Sequence, residues 1–144
     1  MSHNVSTDAS GDPGGNCKAD RHQLVVLPSE RDHRQGSLTA QVLLVEYGDY
    51  QCSQRKELYL LIKATQQQFN AGSVEKDCLC FVFRHFPQSQ IYPQAQKAAA
   101  APEAAGEQGQ FWQMHELLLK HQKLGDGYLA EYAYNLGLDV VQFI

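Results

Sequence analysis

Residues 24–144 predict an α/β domain on a parallel βαβ core, and three stretches carry that prediction. The run Val42-Leu43-Leu44-Val45-Glu46-Tyr47 is almost continuously apolar and β-branched, the composition of a strand covered on both faces in a parallel sheet. Leu58, Leu61, Ile62, Thr65 and Phe69 then fall at i, i+3, i+4, i+7 and i+11, which is one face of a helix ending near Asn70-Ala71-Gly72. Cys78 to Phe86 returns to strand composition and is stopped by Pro87, so a right-handed crossover joins the two strands in parallel.

The flanking elements follow in chain order. Residues 1–23 are rich in Ser, Asp, Gly and Asn without apolar periodicity, which predicts a disordered tail. Leu24-Val25-Val26-Leu27, ended by Pro28, reads as a short strand, and Ser29 to Ala40 as a polar loop. Beyond Pro87 the chain is helical. Pro93 to Ala105 is Ala-rich, with Pro102 expected to kink it. Gln110 to Gln122 buries Phe111, Met114 and Leu118, and Tyr128 to Leu136 buries Leu129, Tyr132, Ala133 and Leu136 before Gly137 caps it.

Charge and composition remove several classes of function. Twelve basic against sixteen acidic residues give a net charge of −4, with no Lys/Arg run longer than two residues, which argues against a nucleic-acid partner. No apolar run is long enough to span a bilayer, and the start of the chain lacks a basic segment followed by an apolar one, so the default location is cytoplasmic. Four irregularly spaced cysteines, Cys17, Cys52, Cys78 and Cys80, then point to reduced thiols rather than a disulfide framework.

Cys52 stands where the first strand passes into the first helix. A thiol there meets exposed backbone N–H groups and the positive end of the helix dipole, with Arg55 one turn on along the same face, and each of these favours the anionic, nucleophilic form. Other candidates carry less. Cys78 and Cys80 share one face of a strand, His85 has the opposite parity, and no second Cys/His cluster accompanies them, so neither a metal centre nor a cofactor is expected and both thiols read as core residues. Cys17, in the tail, reads as an idle surface thiol, although it could serve Cys52 as a resolving partner. His115 and His121 read as half-buried or surface side chains, and Phe111 and Trp112 as core. Arg84 and His85 close the second strand without an evident catalytic role.

Three blocks carry a resemblance to a known family. Val-Glu-Tyr-Gly-Asp-Tyr-Gln-Cys at 45–52, Phe-Val-Phe-Arg-His-Phe-Pro at 81–87 and Ala-Ala-Gly-Glu-Gln-Gly-Gln-Phe-Trp-Gln-Met-His at 104–115 resemble the DsbA-type branch of the thioredoxin superfamily, over roughly Asp32 to Asp139. The resemblance implies a thioredoxin-like core with a helical insertion, and a Cys-X-X-Cys pair opening the first helix. Here Cys52 matches the leading nucleophile, Arg55 replaces the resolving cysteine, and Glu46 matches the buried acid beneath the pair. It further implies a cis-proline loop and a strand hairpin after the helices. The sequence ends at Ile144 without matching them, which predicts an incomplete domain with an exposed sheet edge that self-associates. Two functions follow: a monothiol exchange protein acting on protein or low-molecular-weight thiols and disulfides, or a degenerate, non-catalytic binding module or fragment.

Overall fold

The computed structural model describes residues 26–71 and 78–144. The predicted tail with Cys17, and the helix-ending Gly72, lie outside them. Among the described residues three strands, β1 (His33–Gln35), β2 (Val42–Gly48) and β3 (Leu79–His85), form one sheet in the order β1-β3-β2. β2 runs parallel to β3 from Val42 opposite Leu79 to Gly48 opposite His85, and β1 is antiparallel to β3, with His33 opposite Phe83. The helix α1 (Arg55–Ala71) makes the crossover, and α2 (Ala95–Glu107), α3 (Phe111–His121), α4 (Asp126–Asn135) and α5 (Val140–Phe143) follow.

Strand parity divides the core. Phe81 and Phe83 point to the helical side and join Tyr50, Tyr59, Ile62, Met114 and Leu118, while Cys80 and Val82 point the other way and meet Ala40 with Leu38, Leu43 and Val45. That second layer is thin. No residue of Val42 to Tyr47 is fully buried, so the parallel pairing is as expected but the coverage on both faces is not. Among the described residues β2 lies at the sheet edge, and its outer face meets the short loop that carries Leu38 and Ala40.

Two further expectations are corrected. Val26 and Leu27 are not strand: their carbonyls accept from the Arg84 guanidinium at 2.8 and 3.3 Å, and Asp32 holds that guanidinium through two bonds of 2.7 and 3.0 Å. A side chain thus takes the acceptors that a neighbouring strand would have used, and the first strand forms instead inside the polar stretch, at His33–Gln35. On α1 the buried residues are Tyr59 and Ile62, whereas Leu61 is 64% exposed and Leu58 and Phe69 are also exposed. Periodicity marks an apolar stripe but not the surface it meets, and α1 rests on α3, where Tyr59 packs edge-on to His115.

The helical layer matches its sequence. α2 continues through the buried Pro102, α3 buries Phe111, Met114 and Leu118, and α4 buries Leu129, Tyr132 and Ala133 with Leu136 packed beside them. Gly137 follows α4 with φ +71°, the left-handed position that terminates a helix.

Candidate active site

The chain leaves the C-terminal end of β2 through Gly48, Asp49, Tyr50, Gln51 and Cys52 before α1 begins at Arg55. Two consecutive turns shape this passage: the Cys52 N–H donates to the Asp49 carbonyl at 3.3 Å, and the Arg55 N–H donates to the Cys52 carbonyl at 3.2 Å. Cys52 is half-buried and stands just ahead of the first helical turn, not within it. The buried Asp49 carboxylate fixes the turn by accepting from the Gln51 N–H at 2.9 Å and from the Gln88 N–H at 2.8 Å, an Asx-type arrangement that replaces missing backbone partners. Two glutamines anchor it to the helical layer. The Gln51 side chain accepts from the Gln94 N–H at 2.9 Å, and the Gln122 side chain donates to the Ser53 carbonyl at 3.2 Å.

Beneath the turn, Glu46 and Arg55 meet. Parity puts Glu46 on the helical side of β2 with Leu44, and Arg55 reaches back to donate to its carboxylate and, at 2.7 Å, to the Tyr47 carbonyl. The two side chains are 11% and 18% exposed. Burial holds the Glu46 carboxyl above its ordinary range, and the neighbouring guanidinium opposes that shift. The three predicted site residues are therefore brought to one strand end, with Arg55 bound to Glu46.

Tyr50 and His115 extend the site inward. The Tyr50 hydroxyl and His115 Nδ1 lie 2.7 Å apart, both side chains fully buried. Burial drives the imidazole down to about 3 and the phenol well above its usual range, so the pair is neutral. His115 is thus no surface histidine: α3 turns it inward on the same face as Phe111 and Leu118. Its spacing from those two, i+4 and i−3, was the available signal. Nothing in local sequence marks Gln51 or Gln122 as anchors, because their roles depend on where the helical layer lands. Cys80 is buried in β3 as expected of a core residue, whereas Cys78 stands one residue before the strand and is only half-buried.

A sheet edge that delivers a cysteine to a strand-to-helix turn, with a helical layer clasping that turn, is a thioredoxin-like arrangement. A family model described as Thioredoxin matches residues 28–142, and the chain belongs to that family. It is 39% identical over 121 residues to the Na(+)/H(+) antiporter NhaA 1 of Salinispora arenicola, and 37% identical over 121 residues to NhaA 3 of Salinispora tropica. Each match takes in 83% of this chain but only 18% of the antiporter, so the chain spans under a fifth of those relatives. Among solved structures, alpha-DsbA1 of Wolbachia pipientis superposes with TM-score 0.62 at 20% identity, covering 82% of this chain and 60% of that one. The thiol-disulfide exchange protein alpha-DsbA2 of the same organism gives 0.62 at 23%, covering 78% and 56%. BdbD of Bacillus subtilis gives 0.56 at 23%, covering 72% and 57%. These likenesses establish the fold. Among the described residues, no helix is long and apolar enough to cross a membrane.

Proposed function

We propose that this domain performs thiol-disulfide exchange through Cys52 alone. The supporting observation is the placement of a half-buried cysteine in a braced turn at the C-terminal end of β2, with an arginine where a second thiol would stand. The Cys52 thiolate attacks one sulfur of a substrate disulfide; a new S–S bond forms, the old one breaks, and the departing thiolate carries away the electron pair and takes up a proton from solvent. An external thiol of the glutathione class then attacks the substrate sulfur of the mixed disulfide, forms a new disulfide with it, and releases Cys52 as thiolate. Arg55 supports the site by pairing with Glu46, which leaves no uncompensated carboxylate beneath the turn. The substrates are protein or low-molecular-weight disulfides, and dependence on an external thiol suits a reducing, cytoplasmic setting.

A second reading rests on the antiporter relatives: a non-catalytic module that operates as part of, or beside, such a membrane protein. Reaction with glutathione disulfide separates the two. Exchange chemistry predicts a single mixed disulfide at Cys52, formed at least about tenfold faster than on an unstructured cysteine peptide and absent in Cys52→Ser. A rate equal to the peptide's overturns the catalytic reading and leaves the module.

A further inference from the structure

Beside Tyr50 of the Cys52 turn, with the His85 ring packed 5.9 Å from the Tyr50 ring, three side chains from three elements converge: His33 of β1, His85 at the end of β3, and Glu103 of α2. Both imidazole Nε2 atoms lie 2.8 Å from the same carboxylate oxygen, Oε1 of Glu103, and the donor atoms of all three residues fall within 4.8 Å of one another. The rings are held in place independently of that carboxylate. His33 stacks on Phe111 with centroids 3.5 Å apart and planes 7° from parallel, while His85 stands edge-on to Phe83 at 5.3 Å and to Phe111 at 5.9 Å. Among the described residues His85 Nδ1 is buried without a hydrogen-bond partner, and packing aims Nε2 at the other two groups. Glu103 remains half exposed and leaves the cluster reachable from solvent.

We propose that His33, His85 and Glu103 form a binding site for a divalent transition cation of the zinc class, with water completing the coordination. Two imidazoles and one carboxylate are a borderline donor set that suits zinc or cobalt; calcium and magnesium call for more oxygens than this cluster offers. The donor atoms, all within 4.8 Å of one another, bracket the spacing an ion needs. Donor atoms on a tetrahedral zinc ion stand about 3.3 Å apart for bonds near 2.0–2.1 Å, so the two 2.8 Å separations must open by about half an ångström, within reach of the half-exposed Glu103 side chain. The strand order gives the site a consequence: an ion there ties the three-residue edge strand β1 and the end of β3 to the helical layer at α2.

Cobalt titration of the reduced full-length chain tests this, because thiolate ligands would announce themselves by sulfur-to-metal charge-transfer absorption. The expected result is uptake of one equivalent with a nitrogen/oxygen ligand-field spectrum, no charge-transfer band, and the same behaviour in Cys52→Ser. Zinc at about a hundred times its Kd should raise the folding equilibrium constant about a hundredfold, read as a higher melting temperature. Glu103→Gln and His33→Asn, made singly at sites that are not fully buried, each weaken binding at least tenfold, and either one alone carries the test because both preserve side-chain shape. Unchanged affinity in either variant, a charge-transfer band, or no uptake in excess cobalt overturns the site.

Discussion

Arg55 and Glu46 are mostly shielded from solvent, which makes their pairing consequential. Removing only the cation leaves a carboxylate in a poorly solvated place, so Arg55→Ala should destabilise the fold by about 2–3 kcal/mol, near the lower end for breaking a buried pair. Adding Glu46→Gln to that variant should recover much of the loss, since the amide needs no counter-charge; urea denaturation of the two single variants and the double variant gives the coupling directly. His115 sets the acid limit. Its folded-state value of about 3 lies below the ordinary histidine value, so the native state binds fewer protons than the unfolded chain and stability falls as pH drops from about 6.5 toward 3. Burial, with the charges of His85, Lys63 and His33, drives that shift against Glu116. Between pH 7 and 5 this group alone removes roughly 2 kcal/mol, and His115→Gln, which still offers Tyr50 an acceptor, should flatten the corresponding change in urea midpoint.

At the scale of elements, the junction of β2 and α1 depends on close packing at Gly48. A Cβ there would sit 2.3 Å from Phe83 Cε2 and 2.6 Å from its Cζ, and Phe83 is too deeply buried to yield. Gly48→Ala should therefore cost about 1–3 kcal/mol as overpacking, seen as a lower melting temperature. β2, α1 and β3 are legible in the sequence because hydrophobic period and length suffice to distinguish them, and the Ala-rich and aromatic helices are legible for the same reason. β1 is not legible. Its residues His33, Arg34 and Gln35 are polar, and they become strand only because β3 offers them a partner about fifty residues later in the chain.

For the molecule as a whole, exposed apolar side chains are spread over several elements, and among them Leu58, Leu60 and Leu61 lie on α1 and Val42 and Tyr47 on the edge strand. An edge strand that carries exposed apolar side chains favours association. Sedimentation velocity should show a concentration-dependent rise in mass that Leu61→Glu suppresses, with stability unchanged to within about 0.5 kcal/mol because Leu61 is 64% exposed. A monomer at all concentrations would count against association. Of the candidate site, Cys52 and Arg55 are legible from the strand end and helix start that lie next to them, and Glu46 only through the family resemblance. Tyr50–His115 and the two glutamine anchors are not, since each joins residues more than forty positions apart that only the helical layer brings together.

Gln122 ends α3 in the left-handed region at φ 54°, a conformation that a glycine would adopt without strain. Its side chain is what a glycine would forfeit, and that side chain holds the Ser53 carbonyl beside Cys52. The sequence thus accepts about 1 kcal/mol of backbone strain to keep a guy-rope on the sulfur's loop. Because both ropes are uncharged amides, ionic strength that loosens the exposed Lys97–Asp126 pair should leave the aim of the thiol untouched, so that the sulfur's orientation tracks the posture of the helices rather than the salt around them.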